Sequence, residues 1–258
     1  MEVVLEPGKK LYFVSDSHLG IPTQALSLQR EKLLVSWLEN KKSTAQAFFL
    51  LGDIFEFWFE YRKVVPKGFV RLLGKLAEIT DSGIPVYFFT GNHDIWTFGY
   101  LKQEIGLQIY RETSELFCSG KTFLIGHGDG LGPGDLQYKR AKRIYNSLLM
   151  QKIFATIHPD TGINWASKFS KTDRYTNGSR KDIVVDPVYE RLVLFCRQYL
   201  EKRNVNYFIF GHRHTPCDIQ LTPQSRYINT GDWINHYSYA SFDGEDLSIH
   251  RASVDMLR

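Results

Sequence analysis

Asp16 and His18 stand two residues apart, directly after the apolar run Leu11-Tyr12-Phe13-Val14. The arrangement recurs along the chain. Phe48-Phe49-Leu50-Leu51 runs into Gly52-Asp53, and Val86-Tyr87-Phe88-Phe89 runs into Thr90-Gly91-Asn92-His93-Asp94. Further on come Gly126-His127-Gly128-Asp129 and Gly211-His212-Arg213-His214. Carboxylate oxygen, amide oxygen and imidazole nitrogen are the donors that hard and borderline divalent ions accept. Here they divide into two four-ligand sets with one shared carboxylate: Asp16, His18, Asp53 and His214, and Asp53, Asn92, His127 and His212. Two ions so held would lie about 3.5–4 Å apart, supply hydroxide at neutral pH and stabilise charge on phosphoryl oxygens. The expected chemistry is metal-dependent hydrolysis of a phosphate ester or anhydride.

Each piece alone is ordinary. Asp-x-His is common in polar loops, Gly-Asp is a turn signal, and Asn-His-Asp reads equally as a helix cap with a satisfied histidine. The weight lies in five such tips, each after an apolar run and each with small neighbours that let an ion approach. His158, His236 and His250 lack that context and read as structural or surface residues, with His236 a candidate for a supporting contact because it follows Gly231-Asp232-Trp233.

The tips require strands to carry them. Leu11 to Val14, Phe48 to Leu51 and Val86 to Phe89 are short, apolar and bounded by turn residues, as strands buried on both faces are. Gln24 to Asn40 and Arg71 to Asp81 carry helical periods between them, the second closed by Ser82-Gly83. Strand, helix, strand, helix, strand predicts parallel β-α-β units, whose sites lie at the C-terminal strand ends. Tyr100 to Ile105 predicts a short helix. Ser114 to Cys118 and Thr122 to Ile125 flank Ser119-Gly120-Lys121, a hairpin signal. Tyr189 to Arg203 predicts a helix and Tyr207 to Phe210 a strand. Short strands are expected at Asp218 to Leu221, Arg226 to Ile228, Tyr237 to Phe242 and Leu247 to His250.

Between the fourth and fifth tips the character changes. After Gly132-Pro133-Gly134, the residues Leu136, Ile144, Leu148, Leu149, Ile153, Phe154 and Ile157 repeat at helical spacing up to His158-Pro159, predicting one helix. A second helical piece is expected from Asn164 to Lys171. From 131 to 185 there are ten Lys or Arg and four Asp or Glu, a net of +6, so the remainder of the chain carries −2 of the total +4. The domain division expected is a core of 1–130 and 186–258 with a basic amphipathic insertion at 131–185. Such an insertion suits an anionic amphiphile or surface; the plain reading is a helical hairpin with a solvated basic face.

Composition is that of a globular protein, with 43% hydrophobic and 23% charged residues. A net charge of +4 is too small to argue for nucleic acid. Three widely spaced cysteines, Cys118, Cys196 and Cys217, form no Cys-x-x-Cys pair and argue against a disulfide framework or a thiolate site. The first residues lack the basic start and apolar run of a signal peptide, and no run is long enough to span a bilayer. The expected setting is the cytoplasm, with peripheral membrane contact.

Taken together, Asp-x-His, Gly-Asp, Gly-Asn-His-Asp, Gly-His and Gly-His-x-His resemble the motif set of the calcineurin-like metallophosphoesterases over nearly the whole chain. The resemblance implies a four-layer α/β/β/α sandwich and a dinuclear site filled by Mn²⁺, with Fe or Zn²⁺ as alternatives. It gives Asp53 and Asn92 catalytic as well as ligand roles, and sets His93 beside the leaving group as proton donor or phosphate contact. Gly52-Asp53-Ile54-Phe55-Glu56-Phe57-Trp58, the stretch from His127 through Asp135 into Tyr138-Lys139-Arg140-Ala141-Lys142, and Asn177 to Asp186 are similar to one group within that family. That group cleaves the pyrophosphate of UDP-2,3-diacylglucosamine, giving UMP and 2,3-diacylglucosamine 1-phosphate for lipid A, and its insertion is a lid over acyl chains.

The implied partners are this amphiphilic nucleotide-sugar lipid and the cytoplasmic membrane surface, with no nucleic acid. The implied substrate contacts are Asn92, His93, Asp135, Asn177, Arg180, Lys181 and His212. Leu148, Ile153, Phe154, Trp165 and Phe169 are the expected lining of an acyl slot. The chain departs from the group at His93, where many members carry arginine, and at Asp173, where a small hydroxyl residue is expected. The alternative reading is a broader phosphodiesterase or nucleotide phosphatase of the same fold; a non-catalytic scaffold and a nuclease are weaker ones.

Overall fold

The computed structural model describes residues 1–134, 136–165 and 190–253. The apolar runs become β1 (Lys10–Val14), β2 (Ala45–Leu50) and β3 (Val86–Phe89), parallel and adjacent, with β4 (Gln108–Tyr110) beyond them. The crossovers are α1 (Gln24–Lys42), α2 (Val70–Asp81) and the short α3 (Tyr100–Gln103). Thr23 caps α1, its hydroxyl accepting from the Leu26 N–H.

β5 (Ser114–Cys118) and β6 (Lys121–Ile125) form the expected hairpin. Its turn residues Ser119 and Gly120 have φ of 48° and 71°, the left-handed backbone that suits the strand twist. Next come α4 (Leu136–Tyr145), α5 (Leu148–Ala155), helical residues 159–165, and α6 (Arg191–Leu200). β7 (Tyr207–Phe210), β8 (Cys217–Thr222) and β9 (Ser225–Asn229) complete a five-stranded sheet of order β5-β6-β7-β9-β8. β10 (Ser238–Phe242) and β11 (Leu247–Arg251) return to the first sheet, whose order is β11-β10-β1-β2-β3-β4.

Alternation along the strands builds the layers. Leu11, Phe13, Phe49 and Phe89 point between the sheets, where they meet Phe123, Ile125, Ile209 and Ile228. Parallel register sets Phe13 beside Phe49 and Phe49 beside Tyr87, and the rings stack at 4.8 and 4.7 Å. The intervening residues Tyr12, Val14, Phe48 and Leu50 face α1 and α2 through Trp37, Leu34, Leu72 and Leu76. On the other side α6 packs Leu192, Val193 and Cys196 against Phe208, Phe210 and Tyr227. The result is the α/β/β/α sandwich.

Two expectations are corrected. The helical period from Leu136 to Ile157 is two helices, not one. Ser147 breaks it, its backbone extended and its hydroxyl accepting from the Met150 N–H to cap α5. The helix expected to begin at Asn164 already begins at residue 159. α4 and α5 bury no residue fully. They are tethered to the core where the Tyr138 hydroxyl and Lys142 ammonium meet Asp129, both at 2.6 Å, and where the Trp96 indole donates to the Tyr145 carbonyl at 2.9 Å. Among the described residues no helix is long and apolar enough to cross a membrane.

Candidate metal centre

The five strands β1, β2, β3, β6 and β7 end at one edge of the sandwich, and each delivers its tip there. Beyond the strands, the first two loops continue as a ladder: the Asp16 N–H donates to the Gly52 carbonyl at 3.0 Å and the His18 N–H to the Asp53 carbonyl at 2.9 Å. Side chains two apart then face the same way only because the backbone turns at each of them. Asp16, His18, Asp53, His212 and His214 all have positive φ, between 41° and 67°. Left-handed backbone at a non-glycine residue costs of order 1–3 kcal/mol and persists where surrounding structure enforces it. Five such residues in one cluster mark a functional site. Glycine is required beside them. A Cβ on Gly91 would fall 2.2 Å from Asp53 Oδ1, and one on Gly211 2.4 Å from Asp16 Oδ2.

The donors converge in two groups. Asp16, His18 and His214 form one, with His214 Nε2 3.3 Å and His18 Nε2 3.6 Å from Asp16 Oδ1. Asp53, His127 and His212 form the other, with His127 Nε2 3.3 Å from Asp53 Oδ2 and from Asn92 Oδ1. Asp53 Oδ2 also lies 3.6 Å from His18 Nε2, so this carboxylate stands between the groups. All seven predicted donors are thus at one place. A third triad, His18, Glu56 and His93, adjoins them.

The donor set fits divalent cations. Asp16 Oδ1 is buried and takes no hydrogen bond from the described residues, yet faces two imidazoles. Burial raises Asp16, while the same burial at Asp53 is outweighed by His127, His93 and His18, which hold its carboxyl well below the usual range. Burial alone would lower His127, but Asp53 beside it raises it to about 10, the sign of a field that stabilises positive charge. His212 is pushed down to about 3 by burial and by His127, and so stays neutral with a nitrogen lone pair to give.

Residues that sequence reasoning did not single out hold these donors in place. Glu56 Oε2 meets His18 Nδ1 at 2.8 Å, and Asp232 Oδ2 meets His214 Nδ1 at 3.3 Å. The Leu51 carbonyl accepts from His127 Nδ1 at 2.8 Å, which turns Nε2 toward Asp53. Asp94, raised to about 7 by burial and by the Asp53 charge, accepts from the Gly91 and Ile54 N–H groups and ties the second loop to the third. Arg30, buried in α1, donates to the Ser17 and His18 carbonyls at 2.9 Å each. His236 does make a supporting contact, sharing Asp232 with His214.

A family model described as calcineurin-like phosphoesterase matches residues 9–216. The chain belongs to the calcineurin-like phosphoesterases. This phosphoesterase is 36% identical over 258 residues to a protein named UDP-2,3-diacylglucosamine hydrolase from Porphyromonas gingivalis, covering 93% of this chain and 96% of that one. Proteins of the same name from Shewanella piezotolerans and Histophilus somni are 26% and 27% identical, covering 92% and 87% of this chain and 95% and 92% of theirs. The phosphoesterase is therefore a metal-dependent hydrolase with the fold that the strand order builds.

Of the expected substrate contacts, Asn92, His93 and His212 are at the metal cluster, whereas Asp135, Asn177, Arg180 and Lys181 lie outside the described residues. The expected acyl lining comprises Leu148, Ile153, Phe154, Trp165 and Phe169. Leu148, Ile153 and Trp165 are exposed, Phe169 lies outside the described residues, and Phe154 alone packs inward, against Trp96, Phe59 and Phe57. Of the other apolar side chains of α5, Leu148 borders a cavity that also contains His127, and Leu149 and Ile153 are exposed. Two cavities adjoin the site. One, of about 800 Å³, runs from His127 and Gly91 beneath α4. The other, of about 730 Å³, runs from Glu56 and Leu19 along Phe57, Val65 and Phe69 to Ile163.

Proposed function

We propose that this phosphoesterase hydrolyses the pyrophosphate of UDP-2,3-diacylglucosamine to UMP and 2,3-diacylglucosamine 1-phosphate, in the synthesis of lipid A. The observation that carries the reading is Asp53 standing between two donor groups, in a chain whose relatives bear that name over nearly their full length. Asp16, His18, Asp53 and His214 would hold one divalent ion and Asp53, Asn92, His127 and His212 the other, Mn²⁺ being our choice and Fe or Zn²⁺ also suiting the donors. Such ions, when bound, lower the pKa of water and neutralise charge on phosphoryl oxygen.

The remaining work falls to the chain. The His93 N–H donates to Asp53 Oδ1 at 2.9 Å and fixes the shared carboxylate. The Nδ1 of His93 donates to the Glu56 carbonyl at 2.9 Å, so Nε2, 3.9 Å from Asp53 Oδ2, is the nitrogen that faces the reaction. Because Nδ1 keeps its proton on that carbonyl, His93 hands a proton to a leaving oxygen only from the imidazolium. In this reading residues 131–185, inserted in sequence between core segments 1–130 and 186–258, serve as the lid. Leu148 and Leu149, both exposed and close in sequence to Lys152 and Arg143, suit contact with the cytoplasmic membrane surface from which an acylated substrate comes.

His93 in place of arginine favours a second reading, a broader phosphodiesterase, since arginine would clamp a diphosphate as a fixed cation. A product assay separates them: Mn²⁺-loaded protein with UDP-2,3-diacylglucosamine, UDP-N-acetylglucosamine and bis-p-nitrophenyl phosphate, resolved by mass. UMP plus the acylated sugar phosphate, with little turnover of the unacylated compounds, supports the proposal. Equal turnover of all three overturns it in favour of the broader enzyme.

A further inference from the structure

The loop after β7 supplies one imidazole to each donor group, His212 to one and His214 to the other. Arg213 stands between them. Both histidines hold left-handed backbone, with φ of 67° and 61°, and non-glycine residues keep that conformation only where their surroundings enforce it. Backbone contacts give part of the enforcement. The His212 N–H donates to Asp16 Oδ2 at 2.9 Å and the Gly211 N–H to the His127 carbonyl at 3.0 Å. The side chain of Arg213 gives another part. Its Nε lies 3.0 Å from Oε1 of Glu190, a carboxylate whose side chain is 2% exposed.

Glu190 is itself fixed. Its Oε2 accepts from the Val193 N–H at 2.8 Å and caps α6. That helix packs Leu192 and Val193 against Phe208 and Phe210 of β7, the strand that feeds the loop. Gly132 packs against the start of the same helix, where a Cβ on it would fall 2.3 Å from the Arg191 carbonyl oxygen. Oε1 takes no hydrogen bond from the described residues. The groups its charge reaches include Cys196, Cys217 and Tyr227, neutral side chains that burial and this carboxylate push up. A buried carboxylate without a cation is strongly destabilising, so Arg213, 39% exposed and able to reach water, is drawn to this point by its partner. We propose that Arg213 is a positioning residue for both metal sites: paired with Glu190, it fixes the turn that presents His212 to one ion and His214 to the other. The inference rests on the ligand assignment above and adds the contact, outside the donor set, on which two of its members depend.

The test is calorimetric titration of Mn²⁺ into the metal-free full-length protein and its Arg213→Ala, Glu190→Gln and doubly substituted variants, with thermal unfolding of the metal-free proteins as the check on folding. Glu190→Gln removes the charge but keeps an oxygen for the Val193 N–H, so the α6 cap survives. It carries the test by itself if the unpaired carboxylate prevents Arg213→Ala from folding. The expected result is Mn²⁺ binding about tenfold weaker in each single variant, the usual loss when the support of a ligand is removed. Binding should be no weaker in the double variant, because both substitutions break one contact. Wild-type affinity for two ions in the single variants overturns the inference and leaves the ligand assignment intact. A loss of about a hundredfold in the double variant overturns it as well, since the two residues then act independently. A wild-type protein that takes up fewer than two ions sinks the ligand assignment itself, and the inference with it.

Discussion

Gly91→Ala is the smallest perturbation that reaches the centre of the site. The added Cβ would lie 2.2 Å from Asp53 Oδ1 and 2.6 Å from the Asp53 backbone nitrogen. To regain ordinary contact at 3.4 Å, the carboxylate oxygen must withdraw by 1.2 Å. Coordination distances tolerate about 0.2 Å, so the shift is roughly six times what a shared ligand allows. A misplacement of about 1 Å at a reacting centre lowers rate about 10²-fold, equivalent to about 2.7 kcal/mol in the barrier. The assay is Mn²⁺-dependent hydrolysis of bis-p-nitrophenyl phosphate, with metal content measured on the same preparation. Gly74→Ala is the control, because a Cβ there meets nothing within 4 Å inside α2. It should leave turnover unchanged and stabilise the fold by about 0.5–1 kcal/mol. Undiminished turnover and full metal content in Gly91→Ala would refute the placement of Asp53 between the two donor groups.

Glu56→Gln keeps the shape beside His18 Nδ1 but removes the charge, so the Mn²⁺ concentration for half-maximal activity should rise about 10-fold or more; an unchanged Mn²⁺ profile contradicts this. Phe154→Ala removes ring contacts to Trp96 and Phe59 at 4.7 and 4.8 Å, each worth about 0.5–1.5 kcal/mol. Hydrogen exchange in α5 should accelerate by roughly tenfold or more while the strands stay protected; equal exchange places the anchor elsewhere. Glu78 is held at about 2 by hydrogen bonds from Lys42 and Lys75. Its folded pKa lies below its unfolded one, so its contribution is complete above the ordinary glutamate value of about 4.5 and is lost as pH falls through about 2. Glu78→Gln should flatten the acid limb of stability in that window, by a small amount because the group is exposed, and a steeper limb would reverse the sign.

The strand tips were legible because each is local: an apolar run, a turn and a ligand-type side chain within a few residues. The supports were not. Arg30 reads as one more charge on an amphipathic helix, and only the docking of α1 shows its guanidinium under the Ser17 and His18 carbonyls. Asp232 reads as a turn residue until the pairing of β9 with β7 brings it to His214. The helical period from Leu136 ran unbroken across Asn146-Ser147 because Ile144 and Leu148 keep the spacing of one helix face; the capping serine was the available signal. β4 has three residues, too few for alternation to declare itself, and is set by pairing with β3. Non-glycine residues in left-handed backbone at Asp16, His18 and Asp53 have no sequence signature, since aspartate and histidine serve equally in ordinary turns.

The central claim is that two ions share Asp53. Anomalous scattering from crystals of the Mn²⁺-loaded protein tests it directly. Two manganese peaks are expected, one among Asp16, His18 and His214 and one among Asp53, His127 and His212, with the Asp53 carboxylate touching both. A single peak, or a peak within the adjoining His18, Glu56 and His93 triad, would contradict it.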